Sequence, residues 1–301
     1  MTPLTLALPT CANLPGWEVD DAPLHAALRA RGARVERPVW DAPSVDWAAF
    51  DAVLIRTTWD YQEKLPAFLR WAERVSEVSR LLNPLAVTRW NTRKTYLRDL
   101  EADGARIAPT VWLAAGTDAA VLAPRALQGL LAERGWDRAF LKPVVGATAR
   151  ETLRFGADAE GIAAASAHLA RLLPREGMML QPYLTRVETE GEFSAIVIDG
   201  RVTHCVQKVP VAGDYRVQDD FGASDGPAVL SDEERRFAAG VMDLARARFP
   251  DLLYARVDFL RDAAGRPCLN ELELVEPSLF FRHAPAAAEA LADALISRAS
   301  R

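Results

Sequence analysis

Hydrophobic and polar positions along this chain follow two rhythms, and their order predicts an α/β protein. Apolar runs at 4–9, 33–40 and 51–58 read as strands, and helical spacings at 22–32 and 65–78 separate and follow them. That order predicts a small β-α-β-β-α unit with a parallel sheet over residues 1–84. Ligands of such sheets sit beyond the strand C-termini, here at 9–17 and 56–60. From Asn83 onward the pattern changes. A helix is expected over 90–104, strands over 107–113, 139–145 and 177–184, and a hairpin over 192–210 turning at Asp199 and Gly200. Ser231, three residues ahead of Glu234, gives a capping box that opens a helix over 231–249. An Ala-rich helix over 284–299 ends the series.

One stretch places its charges oddly. In YARVDFLRDAAGRPCLNELELVEPSLFF, residues 254–281, Arg256 and Asp258 alternate with apolar residues, and after a turn Glu271 and Glu273 do the same. Like charges facing each other across a sheet repel. If paired residue numbers sum to an odd value, one face carries Arg256, Asp258, Glu271 and Glu273, and the other carries Val257, Phe259, Leu272 and Leu274. An even register scatters the acids. Such a face is either a solvated hairpin surface or a site for a hard cation such as Mg²⁺, which takes carboxylate and phosphate oxygens. The hairpin alone does not decide between them.

Composition narrows the classes. The chain has 301 residues, half of them hydrophobic, and a formal net charge of −5. That balance carries no electrostatic footprint for nucleic acid or an anionic membrane. No stretch approaches the roughly 18 apolar residues of a membrane span, and the N-terminus lacks a basic leader pattern. Cys11, Cys205 and Cys268 are isolated and odd in number, which fits a reducing cytoplasm rather than a disulfide framework or a cysteine-held zinc. His25, His168, His204 and His283 are scattered without zinc spacing. No phosphate-loop, dinucleotide or nucleophile-elbow motif occurs.

Other residues gather around the hairpin's chemistry. Lys142 sits inside the apolar run AFLKPVV and needs an anionic partner there. The following small-residue segment, 145–150, could offer backbone N–H groups to phosphate, or be an ordinary turn. Lys94, beside Arg93 and Arg98 on the expected helix, is a further cation or part of a solvated face. GMMLQPYL, 177–184, could hold a flat heterocycle or simply enter a turn, and Lys208 and Arg216 flank a basic loop able to close over anions.

Taken in order, these segments resemble the ATP-grasp superfamily of carboxylate–amine ligases over residues 84–301. Within it they are most similar to the glutathione-synthetase-like branch. The nearest likeness is to ligases that close O-ureido-serine to cycloserine, carried by LIRTTWDY, VQKVPVAGDYRVQDDFG and NELELVEPSLFF. The resemblance implies two α+β lobes gripping ATP, preceded by a small parallel-sheet substrate domain. The divisions would be 1–84 and 85–301, with about 106–184 as the mobile lid lobe.

It also implies roles. Lys94 and Lys142 would contact phosphates under a flexible lid beginning at Gly146. Gln181, Pro182, Tyr183 and Leu184 would form the adenine hinge, and Glu192 would bind the ribose hydroxyls. Lys208 and Arg216 would face the γ-phosphate and substrate, and Arg256 would steady the transferred phosphoryl group. Asp258, Glu271 and Glu273 would hold two Mg²⁺ ions, or Mn²⁺ in their place. Arg56, Thr57 and Ser278 are candidate contacts for a small amino-acid-like substrate, with Arg56 either holding a carboxylate bidentately or serving a structural ion pair. The chain departs from the family pattern twice: Glu273 stands where an Asn is usual, and the lid lacks repeated glycines.

The implied function is ATP-dependent ligation through an acyl phosphate in the cytoplasm, releasing ADP and phosphate. Cyclisation of a ureido amino acid and nucleotide binding without ligation are the alternatives. A homodimer is the base-rate expectation for assembly, with neither nucleic acid nor membrane as partner.

Overall fold

The computed structural model describes residues 3–14, 20–217 and 222–301; the parts of the expected segments at 15–17 and 218–221 lie outside the described residues. The first unit runs β1 (Thr5–Ala7), α1 (Ala22–Ala30), β2 (Arg34–Glu36), β3 (Ala52–Leu54), α2 (Leu65–Val78) and β4 (Arg80–Leu82). Its sheet is parallel throughout, in the order β2-β1-β3-β4. The three-residue β4 was not expected, because it follows α2 too closely to show a period of its own. Helix α2 buries Leu65, Phe68, Trp71, Ala72 and Val75 along one stripe against Trp40 and Phe50.

The helix expected over 90–104 is two helices, α3 (Leu85–Asn91) and α4 (Tyr96–Ala102). The break has a tertiary cause: the Lys94 amide donates to the Val144 carbonyl at 2.7 Å instead of to a preceding turn. A second sheet follows, built from β5 (Val111–Leu113), β6 (Arg138–Pro143), β7 (Leu153–Gly156) and β8 (Met178–Pro182). It is antiparallel, ordered β5-β8-β6-β7, and backed by α5 (Pro124–Arg134) and α6 (Ala159–Leu172).

The third sheet is the largest. After the short α7 (Val187–Glu190) come β9 (Glu192–Ile198), β10 (Arg201–Val209) and β11 (Ser224–Ala228), then α8 (Asp232–Arg248), β12 (Tyr254–Arg261), β13 (Pro267–Glu273) and α9 (Pro285–Ala299). Its strands run antiparallel in the order β11-β10-β9-β12-β13. The β9–β10 turn has positive φ at Asp199 (48°) and Gly200 (78°), as the Asp-Gly signal requires. The Ser231–Glu234 capping box is formed at the start of α8. Leu6, Leu24 and Leu28 share one apolar cluster with Ile196, Tyr254, Phe281 and Leu291, so the first unit and the third sheet bury a common face. No helix of the described residues is long and apolar enough to cross a membrane.

Candidate functional site

The hairpin β12–β13 adopts the odd register: Arg256 pairs with Glu273, Val257 with Leu272 and Asp258 with Glu271. A bulge follows, after which Phe259 pairs with Leu269, so Asn270 is the extra residue. The acids therefore share one face, as alternation predicts, and that face lines a cleft of about 320 Å³ walled also by the second sheet. Among the predicted site residues, Lys94, Lys142, Gly146, Gln181, Pro182, Tyr183, Leu184, Glu192, Lys208, Arg216, Arg256, Asp258, Glu271, Glu273 and Ser278 all line it.

Lys94 is held there by the break between α3 and α4. Its Nζ donates to the Gly146 carbonyl at 2.8 Å and to Glu271 Oε1 at 2.5 Å. The solvated face is thereby excluded. Burial lowers the Lys94 pKa, but the charge and hydrogen bond of Glu271 overcome it and leave the amine above its ordinary value. The neighbouring helices also close the outer edge of β13. Asn91 receives the Leu274 amide and donates to the Leu272 carbonyl, both at 2.7 Å, and Tyr96 Oη receives the Leu272 amide at 2.9 Å.

Lys142, on β6, pairs with no carboxylate among the described residues; its Nζ donates to Asn270 Oδ1 at 3.0 Å. Burial is the largest influence on it and lowers its pKa to about 8. Asn270 also donates to Glu192, which pairs with Lys208. Sequence reasoning missed Asn270. Strict alternation sends it to the core face with Leu272, and a polar residue at such a position was the available signal for a bulge. Gln181 donates to Thr110 Oγ1 at 2.8 Å, and the Arg138 guanidinium lies 4.6 Å from the Tyr183 ring centroid. Arg216 grips Asp214, with Nη2 2.7 Å from Oδ2.

Arg256 is buried and bidentate to Asp258 (2.9 Å from Nε to Oδ1 and from Nη2 to Oδ2), reaches Glu273 at 2.5 Å and donates to the Ser278 carbonyl at 3.1 Å. Asp258 also accepts from Ser194 Oγ at 2.6 Å. Burial opposes ionisation of Asp258, but Arg256 and Lys208 outweigh it and hold the carboxyl below its ordinary value. Burial raises Glu273 to about 7 against the pull of Arg256, helped by Glu271 and Asp258, and burial with Glu273 and Glu271 raises Glu276 to about 8. Crowded, desolvated carboxylates of this kind are relieved by a divalent cation with hard oxygen ligands. Glu271 and Glu273 fit that cation, whereas Asp258 has its oxygens engaged by Arg256 and Ser194. Among the described residues, no three His, Cys, Asp or Glu side chains already converge as a metal cage.

Arg56 and Thr57 are not among the cleft's lining residues. Arg56 forms a bidentate ion pair with Asp21, both nearly inaccessible at 2 % and 4 % exposure, and Thr57 donates to Thr10 Oγ1 at 2.9 Å. Trp59, Tyr61, Asp20 and Glu276, which sequence reasoning did not select, line the cleft. Ser278 lines the cleft but donates its hydroxyl to Asp20 at 2.9 Å.

Comparison with known proteins agrees with this geometry. Residues 6–83 match the family model described as D-cycloserine synthetase DcsG, N-terminal domain, and residues 124–263 match the prokaryotic glutathione synthetase ATP-grasp domain. The chain is 34% identical over 303 residues to the cycloserine biosynthesis protein DcsG of Streptomyces lavendulae, covering 97% of this chain and 98% of that one. It superposes on a crystal structure of D-cycloserine synthetase DcsG with a TM-score of 0.89, at 32% identity and covering 98% and 99% of the two chains. The ATP-grasp ligase PsnB with minimal precursor, Mg and ADP matches with a TM-score of 0.63 at 20% identity, covering 98% of each chain. D-alanyl-alanine synthetase A from Vibrio cholerae matches at 0.71 and 13% identity over the full length of both. These last two share the fold alone. The chain belongs to the ATP-grasp ligases, as an ATP-dependent ligase related across both of its matched domains to cycloserine synthetase.

Proposed function

We propose that this ligase activates the carboxylate of a small amino-acid-like substrate as an acyl phosphate and joins it to an amine. The observation carrying this reading is the cleft itself, which Lys94, Lys142, Lys208 and Arg256 line together with Glu271 and Glu273. In this reading residues 1–84 supply the substrate side, residues 85–301 grip ATP, and the lobe of about 106–184 closes over it. Gln181 to Leu184 receive the adenine, Glu192 the ribose, and Lys94 and Lys142 the phosphates.

Glu271 and Glu273, with Asp258 if Arg256 turns away, would hold Mg²⁺, which would supply neutralisation of phosphate charge. Arg256 stabilises the charge developing on the transferred group. A substrate carboxylate oxygen forms a bond to the γ-phosphorus as the bond to the ADP oxygen breaks. The amine nitrogen then attacks the acyl carbon, phosphate leaves, and the nitrogen sheds a proton. Arg216 and Lys208 flank the anion, and closure of the lid excludes water that would hydrolyse the acyl phosphate.

In a second reading, carboxylate and nucleophilic nitrogen belong to one ureido amino acid. Whole-length similarity to a cycloserine synthetase, N-terminal domain included, supports it. ADP release measured against amino acids singly and in pairs separates the two. Turnover with O-ureido-serine alone supports cyclisation, and a strict need for a second amine overturns it. Glu271→Gln should abolish Mg²⁺-dependent turnover, and wild-type activity in that variant would refute the metal site.

A further inference from the structure

Five consecutive backbone carbonyls, 275 to 279, each accept a hydrogen bond from a different side chain. Tyr254 Oη donates to Val275 at 2.5 Å, Trp59 Nε1 to Glu276 at 3.1 Å and Arg56 Nη2 to Pro277 at 2.9 Å. Arg256 Nη1 donates to Ser278 at 3.1 Å, and His204 Nε2 pairs with the Leu279 carbonyl at 2.9 Å. A backbone so pinned holds its side chains in fixed directions. One of them, Glu276, lines the cleft.

The other carboxylates lining that cleft have cationic partners within the chain. Glu271 has Lys94, Glu273 and Asp258 have Arg256, Glu192 has Lys208, and Asp20 has Arg282. The Glu276 carboxylate forms no ion pair with a lysine, arginine or histidine among the described residues. Its neighbours in the cleft wall are Trp59, whose indole holds its carbonyl, and Tyr61, whose hydroxyl faces it.

We propose that Glu276 binds the ammonium group of the amino-acid substrate. A carboxyl group with no cationic partner among the described residues supplies the acceptors that an ammonium needs, and the ammonium in turn favours its ionised form. Aromatic rings suit an organic cation, whereas Mg²⁺ demands several oxygens and keeps its waters. The Glu271–Glu273 edge already supplies a metal with oxygens, and Glu276 stands beyond it toward the first unit. The assignment rests on the ligase reading above. It makes Glu276 a specificity-determining residue, selecting substrates that carry an amine beside the activated carboxylate.

The test compares O-ureido-serine with its counterpart lacking the α-amine, by ADP release, and measures Mg²⁺–AMPPNP affinity by calorimetry. Wild type should favour the amine-bearing probe by about tenfold or more in KM, the scale of one charge-assisted hydrogen bond. Glu276→Gln should raise KM for that probe by about as much and erase the preference, with nucleotide affinity within about twofold. Glu276→Asp should retain part of the preference. An unchanged KM in Glu276→Gln, or no preference in wild type, overturns the assignment while leaving the ligase reading intact. Parallel loss of Mg²⁺–nucleotide affinity would overturn it by placing Glu276 in the metal site. Absence of wild-type ADP release with any amino acid, alone or in pairs, would overturn the ligase reading and this assignment together.

Discussion

Arg56 donates to the Pro277 carbonyl at 2.9 Å, across 221 residues of chain, while it grips Asp21 with two further hydrogen bonds. This guanidinium fastens the first unit to the segment that walls the cleft. Both members of its ion pair are almost fully buried. Arg56→Met should therefore leave Asp21 charged and alone, destabilising the chain by about 3–5 kcal/mol, and Asp21→Asn in the same chain should recover part of that. Urea unfolding midpoints check both. A loss below about 1 kcal/mol would mean that Asp21 finds another partner.

Lys142 carries a pH prediction. Burial holds its pKa near 8 in the ligand-free chain, and a phosphate beside it would raise that value. Below pH 8 the amine is already charged and binding costs no proton. Above it, binding must take up a proton, so nucleotide affinity should fall with rising pH, by at most about tenfold per unit. Calorimetry at pH 7, 8 and 9 in buffers of differing ionisation enthalpy measures that uptake. Lys142→Met should bind more weakly throughout and lose the uptake.

Gln62 ties the first unit to the loop after β6, since its Oε1 accepts from the Ala147 amide and its Nε2 donates to the Trp59 carbonyl. Gln62→Ala removes both hydrogen bonds, of which the one to Ala147 is worth about 1 kcal/mol. Amide exchange at Ala147 should quicken by about fivefold, with exchange in β9 and β12 unchanged. Uniform acceleration across the chain would indicate lost global stability instead of a lost tether.

Sequence made the repeating parts legible, because alternation and helical spacing report burial directly. The register of β12–β13 stayed open in the sequence, and the odd one that the structure adopts is the one that puts Val257 and Leu272 on the core face. The capping box at Ser231 followed from local chemistry. Arg56 was open between a substrate carboxylate and a structural ion pair, and its partner, Asp21, lies 35 residues away with no local signal of pairing. Lys94 was placed on an unbroken helix because nothing near it announces that its amide turns to Val144. Glu276 was overlooked because it lies beyond the last residue of β13, where strand periodicity stops carrying information.

The closed outer edge of β13 has a mechanical consequence. Sliding that strand by one residue would strand the three backbone groups now bonded to Asn91 and Tyr96, at about 1–3 kcal/mol for each buried group left unmade. If the lobes close as proposed, the acids and the helices that flank Lys94 would therefore travel as one piece. The loop around Thr148, Ala149 and Glu151, where three non-glycine residues hold φ near +50°, would then supply the compliance. Opening and closing would then be a bending of that loop about a stiff carboxylate edge, and the spacing of the acids would be the same in both states.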